Sequence, residues 1–169
     1  MILATEKLID EFPNIHTNIV GDGPYMQNLK ELIREKSLTK NVTLHGGLDD
    51  NGLAELYKKS NLFVLAHMML ENGDTEGCPT VFSEASGQGL PVIGGTDAGA
   101  STVILEGITG YIVNSRDIDS LANRMRLILS NPDMAQKMGE EGIKKIRKDH
   151  TPSITGEKFT VAIRAILNT

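Results

Sequence analysis

The sequence predicts an α/β chain with a doubly wound, mostly parallel sheet and helices on both of its faces. Three observations predict it. Short apolar runs of strand length alternate with apolar residues at helical spacing. The run 62–66, "LFVLA", is apolar almost throughout, as expected of a strand covered on both sides. Glycine-rich connections follow the strand-like runs, and in a parallel sheet this gathers them along the carboxyl edge, where ligands of such folds lie.

The elements follow in order. Leu8, Ile9 and Phe12 close an opening helix that Pro13 ends, and 15–20, "IHTNIV", read as a strand halted by "GDGP". Met26, Leu29, Leu32 and Ile33 recur at helical spacing. Val42 and Leu44 make a short strand before Gly46 and Gly47, and Leu53, Leu56 and Tyr57 mark the next helix. After strand 62–66 a polar loop, "HMMLENGDTEG", leads to a helix opening near Pro79. "LPVIGG" (90–95) and "GYIV" (110–113) are the remaining strands. Ile118, Leu121, Met125 and Ile128 form an amphipathic stripe broken at Asn131-Pro132. Met134, Met138 and Ile146 indicate one more helix, and Phe159, Ala162, Ile163 and Ile166 a terminal one.

Composition narrows the class. The 169 residues are 40% apolar and 23% charged, the profile of one ordinary globular domain. A net charge of −5 argues against a nucleic-acid partner. The single cysteine, Cys78, excludes an internal disulfide and suits a reducing, cytoplasmic setting. The opening "MILATEKLIDEF" lacks the basic flank and apolar core of a signal peptide. The basic run "KKIRK" (144–148) reads as a solvated helix face, with peripheral membrane contact as the minor reading. His16, His45, His67 and His150 show no metal-ligand spacing, so no metal is expected.

The stretch "EGCPTVFSE" (76–84) carries the candidate chemistry. Pro79 suits the first position of a helix. The free N–H groups near Thr80 and Val81 would then favour an anion. Thr80 and Glu84 share one side of that helix, with Val81, Phe82 and Ala85 toward the core. Glu84 could accept hydrogen bonds from a diol, as acidic residues do from a ribose, and Glu76 could reach a group beyond the phosphates. Spacing alone leaves this reading open beside a pair of solvated carboxylates. "GDGP" fails the dinucleotide pattern because Met26 stands at the third glycine, so a simple turn is the better reading. His45 of "HGGL" reads as a strand-end residue, and Cys78 as a small side chain filling a tight loop.

Taken as an ordered set, these segments resemble the C-terminal, donor-binding half of GT-B-type retaining glycosyltransferases of family four, the glycosyl transferases group one. The matching motifs are "IVGDGP" (19–24), "VTLHGGL" (42–48), "LYKKSNLFVLA" (56–66), "EGCPTVFSEASGQGLPVIGG" (76–95) and "EGITGYIV" (106–113), over about residues 1 to 130. The set is specific where each short motif alone is not. The fourth contains the family's E-x7-E arrangement as Glu76 and Glu84.

The resemblance implies a Rossmann-like domain, one half of a GT-B fold, spanning 1–169. It implies a UDP- or GDP-sugar donor, transfer with retention to a glycan, lipid or other acceptor, and no metal or other cofactor. By the same resemblance Glu76 is the catalytic glutamate beside the anomeric carbon, and Glu84 binds the ribose. The backbone of Gly77, Cys78, Pro79 and Thr80 faces sugar and diphosphate, Gly46 and Leu48 lie beside the base, and Gly21 joins the binding set. Asp74-Thr75-Glu76 looks like the D-x-D signature of metal-dependent sugar transfer, but that signature belongs to a different architecture.

Three departures qualify the match. Family members carry a strand and a Gly-Arg-Leu…Lys segment, which clamps the diphosphate, before the helix that opens this chain. Residues 1–12 hold no counterpart. By the usual strand order that strand is the central one, so the expectation is a piece of a longer protein, inactive alone. The N-terminal acceptor domain, with any catalytic histidine it supplies, is likewise expected elsewhere in the same protein. Ser101-Thr102 stand where the family often has Pro-Glu. Two rivals are a sugar-nucleotide epimerase of the same fold and a non-catalytic doubly wound interaction module, which the lacking clamp favours. A phosphorylase would need a cofactor lysine, and no segment resembles such a site.

Overall fold

The computed structural model describes residues 1–67, 80–97 and 99–149. In chain order the elements are α1 (Ile2–Glu6), β1 (Thr17–Val20), α2 (Met26–Glu35), β2 (Val42–Gly46), α3 (Asp50–Lys59), β3 (Phe63–Leu65), α4 (Thr80–Gly87) and β4 (Val92–Gly95). A 3-10 turn at Gly99–Thr102 precedes β5 (Gly110–Val113), α5 (Ile118–Leu129) and α6 (Pro132–Asp149). Local chemistry sets several boundaries. Asp49 accepts from Gly52 N at 2.8 Å and starts α3, while Asp117 accepts from Ser120 N at 2.9 Å and starts α5. Pro132 opens α6, where its missing N–H costs nothing.

Every strand of the sequence reading is present. The opening helix is shorter than its apolar stripe indicated: it stops at Glu6, and the chain reaches Phe12 through turns such as Phe12 N to Leu8 O at 2.8 Å. The 3-10 turn escaped the pattern because four small or polar residues, "GAST", carry no periodicity. The expected terminal helix around Phe159–Ile166 and the loop 68–79 lie outside the described residues.

All named strand pairings are parallel. β1 pairs with β2, and β3, β4 and β5 form a second sheet in that order. Parallel pairing of strands that alternate with helices along the chain is the pattern of a doubly wound fold.

α1 ties the two sheets together. Its Ala4, with Leu8 beyond it, joins Ile93, Val113 and Met125, while Ile2 joins Ile33, Leu38 and Val42 under β1 and β2. The buried hydroxyls of Thr5 and Thr17 bond at 2.8 Å and fix α1 to β1. A further cluster of Tyr57, Phe82, Ala85, Leu90, Val92, Ala100, Val103 and Ile104 covers the other face of the second sheet. Val92 and Ile93 thus point into different clusters, and β4 is buried along its whole length. α6 lies close over the loop after α4: a methyl group at Gly139 would run into the carbonyl of Gly89.

Phe82 is 0% exposed at the centre of its cluster. Phe82→Ala is expected to lower unfolding free energy by about 3–5 kcal/mol. Leu127→Ala, at a position 37% exposed, should stay within about 0.5 kcal/mol of the parent. Urea denaturation of both variants measures the contrast.

Candidate functional site

The carboxyl ends of β1 and β2 are joined through their loops. Gly21 N donates to Gly46 O at 2.8 Å, and Asp22 Oδ2 accepts from Gly47 N at 2.9 Å. Gly46 takes φ +69, a left-handed conformation that a side chain would strain. "GDGP" is therefore more than a turn, since its aspartate braces "HGGL". Sequence reasoning missed Asp22, whose only signal was an acidic residue between two glycines. Leu48, 37% exposed, follows this brace and immediately precedes the Asp49 cap of α3. His45 is a strand residue, as read, bonded through Nε2 to Asn18 Oδ1 at 2.8 Å.

The second group of residues stands on α4. Thr80 begins the helix and Glu84 follows one turn later, both exposed and on one side, as the spacing predicted. The inward face differs by one position: Phe82, Ala85 and Ser86 are buried, while Val81 is only half-buried. α6 causes this, because Gly142 lies against Ser86 and covers that flank of α4.

Glu84 is not left to solvent alone. The hydroxyl of Tyr57, on α3, donates to Glu84 Oε2 at 3.4 Å. Tyr57 is 7% exposed and meets Phe63 edge-on at 5.9 Å, and Phe63 meets Phe82 edge-on at 6.0 Å. Burial first, and then the charge and hydrogen bond of Glu84, push the Tyr57 phenol up to about 12. At neutral pH it is a fixed donor. In the sequence Tyr57 marked only an apolar helix face, although a hydroxyl on such a face needs a partner once buried.

The ends of β3 and β5 meet beside this helix. His67, just past β3, bonds Leu65 O through Nδ1 at 3.1 Å, and its buried Nε2 has no hydrogen-bond partner among the described residues. Ser115 Oγ donates to His67 O at 2.5 Å, and Arg116 pairs with Asp97 at 3.0 Å. Ser101 and Thr102 sit exposed in the 3-10 turn. Among the described residues no three His, Cys, Asp or Glu side chains gather as a metal set, and no helix is long and apolar enough to cross a membrane. Glu76, Gly77, Cys78 and Pro79, with the Asp74-Thr75-Glu76 segment, lie outside the described residues.

Two groups thus result: Gly21, Gly46 and Leu48 around the Asp22 brace, and Thr80 with Glu84 on α4. α3 spans them, from its cap beside Leu48 to Tyr57 at Glu84, a rise of about 12 Å along the helix axis. Bare backbone at one end and a held, solvent-facing carboxylate at the other suit a ligand with a flat polar group and a diol.

Comparison with known proteins identifies the family. The family model described as "Glycosyl transferases group 1" matches residues 1–145. A GDP-mannose-dependent alpha-(1-6)-phosphatidylinositol monomannoside mannosyltransferase of Mycobacterium tuberculosis is 34% identical over 125 residues, 73% of this chain and 32% of the relative. A GDP-mannose-dependent mannosyltransferase of Corynebacterium glutamicum, acting on the monoacylated form, is 29% identical over 95% of this chain and 42% of the relative. The chain therefore spans well under half the length of either. The Anabaena protein HepE, solved in complex with UDP, superposes with a TM-score of 0.82 at 16% identity, over 96% of this chain and 44% of that one, a likeness of fold.

Two outcomes follow from the local geometry. Asp22→Ala removes the acceptor for Gly47 N–H, and hydrogen exchange of that amide is expected to accelerate about three- to tenfold. The Tyr57 phenol is raised from 10.0 to about 12, so the stability gained by keeping it neutral is complete below pH 10 and is lost as pH rises through 12. Denaturation midpoints should fall less steeply across that interval in Tyr57→Phe than in the parent.

Proposed function

Because the chain belongs to the group 1 glycosyl transferases, we propose that it is the donor-binding part of a retaining glycosyltransferase. In this reading it takes a UDP- or GDP-sugar and passes the sugar to a glycan or lipid acceptor. The observation that carries it is the exposed carboxylate of Glu84, one turn into α4 and held by a buried phenol. Both bases stay in the proposal, since the mannosyltransferase relatives depend on GDP-mannose and HepE was solved with UDP.

The proposed chemistry assigns each part a role. Gly21, Gly46 and Leu48 receive the base through backbone groups, and Glu84 accepts hydrogen bonds from the ribose. The backbone of Gly77, Cys78, Pro79 and Thr80 is assigned to the diphosphate, where N–H groups would stabilise the charge that grows on the leaving phosphate. Glu76 stands beside the anomeric carbon and favours oxocarbenium character. The C–O bond to the diphosphate breaks, the acceptor oxygen attacks from the same face, and its proton passes to the departing phosphate. No metal takes part.

The acceptor-binding half and the cations of the diphosphate clamp are assigned to polypeptide outside these residues, in keeping with the greater length of the relatives. A cytoplasmic setting, with peripheral membrane contact where the acceptor is a lipid, belongs to the same proposal.

Calorimetric titration of the chain with UDP and GDP tests the binding step. Glu84→Ala is expected to weaken the tighter of the two at least about tenfold, the loss of a charge-assisted hydrogen bond. In a longer protein containing this chain, Glu76→Gln should cut turnover about 100-fold or more with nucleotide affinity kept. Turnover should persist in EDTA, and the anomeric configuration should be retained. Absence of nucleotide binding by the folded chain, or an inverted product, would overturn the reading.

A further inference from the structure

Glu84 has a long, exposed side chain, and an unrestrained carboxylate there would sample several rotamers. A diol needs both acceptor oxygens in one plane and at one height above the helix. We propose that Tyr57 is the positioning residue that holds the Glu84 carboxylate for a ribose diol. The inference rests on the donor-site reading and adds to it a residue from a different helix.

The geometry supports this role. The phenol takes one lone pair of Oε2, leaving Oε1 and the rest of Oε2 as acceptors for a ligand. Tyr57 is itself held by its edge-on contact with Phe63, and Phe63 in turn by Phe82, two residues before Glu84 on α4. One aromatic set therefore fixes both the donor and the helix that carries the acceptor. The phenol pKa, raised to about 12, keeps the donor proton in place at neutral pH. At 3.4 Å the bond is longer than the usual hydroxyl-to-carboxylate distance. Such bonds shorten when a ligand draws the carboxylate into its bound position.

Tyr57→Phe keeps the ring in its cluster, so folding is preserved and only the hydroxyl is lost. The test is calorimetry on the 169-residue chain with UDP, GDP and their 2′,3′-dideoxy forms, using the parent, Tyr57→Phe, Glu84→Gln and the double variant. Tyr57→Phe is expected to weaken binding of the ribose nucleotide about three- to tenfold. It should leave the dideoxy form unchanged and add nothing once Glu84 is glutamine. An equal loss on the dideoxy form, or no loss, would overturn the positioning role, while a Glu84→Gln defect would still uphold the donor site. If Glu84→Gln has no effect, or the parent binds neither nucleotide, the donor-site reading falls and this inference falls with it.

Discussion

The burial of β4 between two helical layers orients the functional residues, because a strand covered on both faces leaves its neighbouring helices few ways to sit. Ile93 meets the layer of α1 and α5, and Val92 meets the layer containing Tyr57 and Phe82. α4 must then turn Phe82, Ala85 and Ser86 inward. Once those three are buried, the helical period sends Thr80 and Glu84 outward on the opposite side. The exposure of the carboxylate is thus a consequence of apolar packing, and needs no polar interaction to set it.

Packing alone does not give the carboxylate a direction. Tyr57 supplies that, and its own position comes from the aromatic contacts with Phe63 and, through it, Phe82. The loop pair at the ends of β1 and β2 works in another way. There Asp22 and the Gly21–Gly46 bond shape glycine backbone, with the Asp22 carboxylate against Gly46 and Gly47 and open space beside Gly21. Rigid apolar packing on one side and braced glycine backbone on the other suit the ribose hydroxyls and flat base of the sugar nucleotide proposed as donor.

The family assignment and the divided sheet bear on each other. α1 spans both sheets and is fixed to β1 through Thr5 and Thr17, so the halves are joined through one helix layer. The strand pairings are all parallel, so the carboxyl ends of the strands and the loops that follow them share one edge of each sheet. Ligands of doubly wound sheets bind beyond the carboxyl ends of the strands, where the following helices begin. α3 and α4, which follow β2 and β3, are the helices that bring Tyr57 and Glu84 together.

The five strands, the helical faces and the exposed side of α4 were legible in the sequence, because each depends on periodicity over a few residues. So were the positions of the glycine-rich loops after β1 and β2, since the end of a strand is a local event. What periodicity does not encode is contact between elements distant in the chain. Glu84 and Tyr57 are 27 residues apart and Asp22 and Gly47 are 25 apart, and both pairs form only after helices and loops have packed. The one-residue rotation of α4's buried face has the same origin, the arrival of α6 with Gly142 against Ser86. Local pattern determined which residues face outward; tertiary structure alone decided which of them are held, because a hydrogen bond between helices exists only where the core has already fixed both partners.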